Sequence, residues 1–451
     1  MRGFRAILLP VLVIFVGFLA PAAAQLVVQD RVTPGGIPFR YVHLPNSKSQ
    51  AIQFGWHDGY ALSLPQGQLA GNWATTLMMQ GPAGMTRGEF VEDVKDTQAQ
   101  MALNSNLRNT LGSVFGPPDK FEAALALYNK MLIHPALGQE RLEDLLRNRR
   151  AAIRQARVKA EVLAGDIRSH LFFPEGVVRR NSLGDDALLD QVTVKGIEAW
   201  RAAVLTRDGL KVVAAGPGSA ESFAGQIDQL FKDLPDKGAG MRKVEFSVRD
   251  AARSVALKAD VPQTFLMIGG WSGFGRDPEL VTAQLATKIL RERLFKAIRE
   301  KLGAAYGASA QVSTLGADNA FFSVSAAVEH DKAVAALDAL RSELTRFLAE
   351  GVTADELGPE KAKLLSETRE SLRRSPVVAR LLRNAMLEEF PADHVQTYDA
   401  RIAQVSAEKV NDDIRKKLAG RAFATVIVTP SPEMFKVDCA IAKPSEAEAC
   451  R

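Results

Sequence analysis

Hydrophobic positions along this chain fall into two patterns. Short apolar runs bounded by Gly and Pro predict strands, and longer stretches with apolar residues three and four apart predict helices. Gln53-Phe54-Gly55-Trp56 closes one apolar run, a Gly/Pro loop follows, and a helical pattern runs through Asn72 to Met79. The second half answers in kind. There, Leu266-Met267-Ile268-Gly269-Gly270-Trp271 leads through Gly273, Gly275 and Pro278 into a helical pattern from Leu280 to Leu294. The ends of the halves match more closely. Asp190-Gln191-Val192-Thr193 and Ala403-Gln404-Val405-Ser406 each place a hydroxyl residue where a helix N-cap belongs. A helix and then a strand follow each cap, Val212 to Pro217 and Thr425 to Pro430, and the proline stands at the same interval from the cap both times. A unit written twice, offset by about 210 residues, sets the domain count at two.

Between those landmarks each half carries a pair of helical stretches: Phe121 to Met131 with Glu140 to Gln155, and Ala333 to Leu348 with Ala354 to Leu372. These read as helices on one face of a sheet. Hairpin-like strands at Ala310 to Thr314 and Ala320 to Val328 favour mixed order over alternating parallel units. The expected fold is α+β, two homologous domains, each a mostly antiparallel sheet with helices packed on one face. Turn formers at Pro235-Asp236-Lys237-Gly238-Ala239-Gly240 mark a linker. The predicted division is 1–24 as a signal segment, 25–234 as the first domain, 235–242 as linker and 243–451 as the second domain.

Composition adds compartment and partner class. At 451 residues, 47% hydrophobic and 24% charged, the chain is an ordinary globular sequence too long for one hydrophobic core. Arg2 and Arg5 precede an apolar run from Ala6 to Ala20, then Pro21-Ala22-Ala23-Ala24-Gln25, the layout of a secretory signal cut after Ala24. The alternative is an uncleaved anchor, since the run approaches the roughly 20 residues that span a bilayer. Export, to a bacterial periplasm, would favour a disulfide between Cys439 and Cys450, the only cysteines. A net charge of +5 is mild for this length and argues against nucleic acid as the main partner.

One stretch carries a family resemblance. Arg293-Leu294-Phe295-Lys296-Ala297-Ile298-Arg299-Glu300-Lys301-Leu302-Gly303-Ala304-Ala305-Tyr306 resembles the substrate-gripping element of pitrilysin/insulinase-type zinc peptidases, including the mitochondrial processing peptidase subunits. Both halves resemble that family's domains over nearly the whole chain, best from Asp260 to Pro430. The resemblance implies that Arg299 and Tyr306 bind the substrate backbone near the scissile carbonyl. A guanidinium is a fixed fork of donors for carbonyl oxygens, and a phenol can donate to a tetrahedral oxyanion.

The zinc motif of that family is missing. Active members carry H-x-x-E-H, two histidines on one helix face with a glutamate that activates the metal-bound water. Aligning Leu77-Met78-Met79-Gln80-Gly81 on the family's apolar-to-Gly ending puts Asn72, Thr75 and Thr76 at those positions, and none is a good zinc ligand. The family's distal glutamate falls within Arg149 to Arg157, where no carboxylate occurs. His43, His57, His134, His170, His330 and His394 share no metal-ligand spacing. The series Arg147, Arg149, Arg150, Arg154, Arg157 and Lys159 reads as a solvated helix face, as does Arg369, Arg373, Arg374, Arg380 and Arg383. Neither a phosphate loop nor a G-x-S-x-G elbow is present.

The combination implies a non-catalytic, substrate-binding subunit of a heteromeric zinc endopeptidase, with no metal or cofactor on this chain. Zinc would sit in a homologous H-x-x-E-H partner. Two rivals stand beside it: a scaffold of the same fold with no part in proteolysis, and an active metallopeptidase with atypical ligands.

Overall fold

The structure, a computed structural model, describes residues 26–57, 70–106, 108–174, 189–238, 247–275, 279–302, 307–314 and 319–450. The signal segment, part of the linker and Tyr306 lie outside the described residues.

Two six-stranded sheets organise the described residues. The first contains β1 (Val28–Val32), β2 (Pro38–His43), β3 (Gln50–Trp56), β4 (Gln100–Ser105), β5 (Thr110–Gly116) and β6 (Lys211–Gly216), in the order β1-β2-β6-β3-β5-β4. The second contains β7 (Ser254–Lys258), β8 (Thr264–Ser272), β9 (Gly307–Thr314), β10 (Ala320–Val328), β11 (Ala424–Thr429) and β12 (Cys439–Ile441), in the order β12-β7-β11-β8-β10-β9. Matching β2 to β7, β6 to β11, β3 to β8, β5 to β10 and β4 to β9 makes five positions coincide. Only the outer edge differs. β1 comes from the chain start and runs antiparallel to β2, whereas β12 comes from the chain end and runs parallel to β7.

The repeat holds at the caps as well. Thr193 opens α6 (Val194–Val204) by accepting from the Gly196 amide at 3.1 Å, and Ser406 opens α13 (Ala407–Lys417) by accepting from the Lys409 amide at 3.2 Å. The two Gly-Trp pairs, however, are not equivalent. Phe54 pairs with Val212 and Ile268 with Thr425, and those partners stand equally far from their caps. Trp56 therefore corresponds to Gly270, where a Cβ would lie 2.1 Å from the Ala422 carbonyl oxygen. A one-residue slip reverses the face of a strand residue, so Trp56 joins the helix side of its sheet and Trp271 the opposite side.

Each sheet carries its own helices on one face, as the pattern predicts. In the first half these are α1 (Ala70–Met78), α2 (Arg87–Thr97), α3 (Phe121–Ile133), α4 (Gln139–Ala156) and α7 (Ala220–Phe231) together with α6. Phe54 anchors this core, edge-on to Trp56, Tyr128 and Phe231 at 5.7, 5.7 and 4.9 Å between centroids. Gly112 on the neighbouring strand makes room for that ring, since a Cβ there would lie 2.1 Å from it. In the second half α8 (Glu279–Leu302), α9 (Ala333–Glu350), α10 (Ala354–Ser371), α12 (Tyr398–Gln404) and α13 form the layer.

The opposite faces are covered too, and by the other half. α5 (Ala160–Phe172), from the first half, lays Ala164, Ile167, Leu171 and Phe172 on Met267, Trp271, Val426 and Val428 of the second sheet. Reciprocally, α11 (Ser375–Leu387) lays Val378, Ala379, Leu382 and Ala385 on Val42, Ala51, Val213 and Ala215 of the first. Hence β3 and β11 are buried at every residue, which a sheet covered on one face only would not allow. The exchange also corrects one reading of the arginine series. Arg383 is 5% exposed at this contact, donating to the Gln53 side chain at 2.8 Å, and is no part of a solvated face.

Candidate peptide-binding element and degenerate zinc site

α1 buries Trp73, Ala74, Leu77 and Met78, and this apolar stripe turns Asn72 and Thr76, one helical turn apart, outward. Thr75 points inward at 1% exposure. Its hydroxyl donates to the Gly71 and Asn72 carbonyls at 3.0 and 3.1 Å, and the Thr76 hydroxyl donates to the Asn72 carbonyl at 2.7 Å. Both hydroxyls are thus spent on their own helix, a habit of Ser and Thr in helices.

α4 stands beside α1, where the family resemblance places the distal ligand, but it presents Arg149, whose guanidinium lies over the Trp73 ring at 5.9 Å. A cation over the ring of Trp73, the residue next to Asn72, opposes a dication electrostatically. The residues do not fit zinc. Among the described residues no group of three or more His, Cys, Asp or Glu side chains is arranged to hold a metal ion. The histidines are spent apart: His43 at the Tyr41 hydroxyl, His57 at Asn109, His330 at Thr264, and His394 stacked on Phe390.

α8 carries the part of the resembling run from Arg293 to Leu302. Val281, Leu285, Ile289, Leu290, Leu294 and Ile298 recur at helical spacing and bury one face. Arg293 sits near that face, where its Nε and Nη2 each donate to the Glu356 carboxylate at 2.6 Å. Glu356 also accepts from the Thr353 amide at 2.9 Å, closing the capping box that starts α10. The Arg293 bond, with help from the Thr353 amide, lowers the Glu356 carboxyl to about 2. Arg293 therefore ties α8 to α10, with its Nη1 buried 3.9 Å from the Glu343 carboxylate.

Arg299 lies two turns further on and is exposed, its guanidinium over the Phe295 ring at 5.5 Å. Glu292, Phe295, Lys296 and Arg299 line one shallow depression on this end of α8. The structure thus presents Arg299 to solvent on an aromatic support, while Tyr306 lies outside the described residues. Cys439 and Cys450 form a disulfide with Cα atoms 5.8 Å apart, and it closes the chain end over α5. The Trp73–Arg149 stack escaped the sequence reading, since it joins residues far apart in the chain and each alone looks ordinary.

Comparison with known proteins places the fold. Residues 191–364 match the family model described as the peptidase M16 inactive domain. That match covers under half of the chain, and beyond it the likeness is one of fold. A peptidase M16 inactive domain from Pseudomonas fluorescens superposes with a TM-score of 0.80 at 19% identity, over 93% of this chain and 99% of that one. The periplasmic protease PqqL from Escherichia coli gives 0.75 at 14% identity, over 95% of this chain and 49% of PqqL. A ferredoxin protease, FusC, in complex with Arabidopsis ferredoxin gives 0.72 at 12% identity, over 95% and 48%. Against proteins of curated function the sequence finds no match. The M16 fold is present, and the model matched by residues 191–364 is that of an inactive domain.

Proposed function

We propose that this protein is the non-catalytic, peptide-binding subunit of an exported, two-chain zinc endopeptidase. One observation carries the reading: the α1–α4 pair is built, yet it bears Asn72, Thr76 and a ring-stacked Arg149, while Arg299 stands exposed at the end of α8. Chemistry is lost where metal would bind and a donor fork remains where a peptide would lie. In this reading zinc, its ligands and the general base belong to a homologous partner bearing H-x-x-E-H. Arg299 and Tyr306 meet the substrate backbone in trans, Arg299 by donating to a carbonyl oxygen and Tyr306 by donating to the developing oxyanion. The chain spans about half the length of PqqL and of FusC. The ferredoxin held by FusC makes a polypeptide the natural ligand class. A bacterial periplasm suits the Arg2-to-Ala24 segment and the disulfide, and PqqL is itself periplasmic.

The test is Arg299→Ala in the reconstituted complex. Peptide turnover is expected to fall on the order of a hundredfold, the cost of losing a donor to a reacting oxygen, while assembly is unchanged. Undiminished turnover would remove the role.

A further inference from the structure

A second cavity, away from both the zinc-motif helix and Arg299, lies between the start of α8, strand β9, α10, α11 and the loop leading to Tyr398. Its volume is ≈ 630 Å³, inside the range of about 300–1,000 Å³ usual for small-molecule sites. The walls are chiefly apolar, with Leu280, Val312, Leu364, Leu381, Phe390 and Val395 contributing.

The polar groups at its rim divide unevenly. The Tyr398 hydroxyl is spent on Gln284 at 2.9 Å, the Thr287 hydroxyl on the Ala283 carbonyl at 2.8 Å, and the Glu367 carboxylate on Lys288 at 3.0 Å. The side-chain oxygen of Asn384 accepts from Arg383, which leaves its amide nitrogen as the group available to a ligand. Arg380 is exposed, and no carboxylate among the described residues pairs with it. Gln311, Thr368 and Ser371 complete the polar lining, and among these groups the one full charge without a partner of opposite sign among the described residues is the Arg380 guanidinium. Burial keeps His394 below its ordinary value. Arg383, one turn along α11, is a second guanidinium without a carboxylate partner.

An apolar chamber with donors and one unneutralised cation at its rim is complementary to a carboxylate on an apolar body. We propose that this cavity binds an amphiphilic monocarboxylate, with the apolar body among Leu364, Leu381 and Phe390 and the carboxylate accepting from Arg380 and the Asn384 amide. The site is independent of the peptide reading, because it shares no residue with the Arg299 depression.

Titration calorimetry of the full-length protein with dodecanoate, below its micellar concentration, tests the site. Binding of about one dodecanoate per chain is expected, with dodecanol at least about tenfold weaker, as suits a lost charge-assisted bond. Arg380→Gln should weaken dodecanoate at least about tenfold and leave dodecanol unchanged. Leu381→Trp, which fills the chamber, should weaken both, and thermal melting of each variant confirms that it folds. Acetyl-trileucine serves as a second carboxylate. If it binds with the same dependence on Arg380 and dodecanoate does not, the ligand is the end of an apolar peptide; if dodecanoate alone binds, it is a fatty chain. Binding of neither carboxylate, equal binding of dodecanol and dodecanoate, or indifference to Arg380→Gln would overturn the proposal. Arg299→Ala leaves dodecanoate binding intact, so failure here and failure of the peptide role are separately visible.

Discussion

Arg293 and Arg299 share one helix and one signature run, yet their surroundings assign them different work. Arg293 is 11% exposed and bidentate to Glu356; Arg299 is open to solvent. The Glu356 carboxyl, at about 2 in the fold against an ordinary 4.5, stabilises the native state through this pair. Its folded value lies below its unfolded one, so the contribution is complete above about pH 4.5 and is lost as pH falls toward 2. Glu356 is 32% exposed, so screening holds the effect to about 1–2 kcal/mol. Chemical denaturation at pH 7 and pH 3 should show Glu356→Gln losing that much relative to the unsubstituted protein at pH 7 and much less at pH 3. An equal loss at both would mean that packing, not charge, accounts for Glu356. At this scale the candidate site was half legible. Arg299 stands in a recognisable run, but only the ion pair at Arg293 shows which of two neighbouring arginines is spent.

Helices α5 and α11 decide stability at the scale of elements. Each leaves its own half and covers the reverse face of the other's sheet. Leu382 is fully buried between α11 and the first sheet, so Leu382→Ala should cost about 2–5 kcal/mol. Because α11 is contributed by the second half, that loss should appear as one lowered melting transition rather than as selective melting of the first sheet. Two separated transitions in calorimetry would show that the exchange does not couple the halves. The disulfide adds to the same contact, since the chain end packs on α5. Reducing it should lower stability by about 2–3 kcal/mol, the loop-closure value for a short ring. Comparing melting temperatures with and without reductant measures this. Strand and helix order was visible in apolar periodicity, because each element advertises its own buried face. Where that face goes was not visible: an apolar stripe on α11 is the same stripe whether it meets a sheet from its own half or from the other.

The assembly is the scale at which the proposed function stands or falls. Purified alone, the chain should hold far less than one zinc, because Asn72, Thr76 and Arg149 offer no ligand set. Drawn from its native extract, it should bring with it a homologous H-x-x-E-H chain near one to one, identified by mass spectrometry. Stoichiometric zinc on the isolated chain would favour an unorthodox active centre, and recovery without any such partner would favour a scaffold.

What the sequence determined by itself is local or repetitive. The duplicated order of elements, the N-caps at Thr193 and Ser406, the absence of H-x-x-E-H and the run from Arg293 to Tyr306 all follow from residues close together in the chain. Tertiary structure alone decided the identical sheet orders with their different edges, the exchange of α5 and α11, the burial of Arg383, the Trp73–Arg149 stack and the cavity beside Arg380. Each of these joins segments distant in sequence, and such pairings depend on how faces are matched in three dimensions. A one-residue slip suffices to show it: the two Gly-Trp pairs look alike in sequence, while strand register sends Trp56 and Trp271 to opposite faces of their sheets.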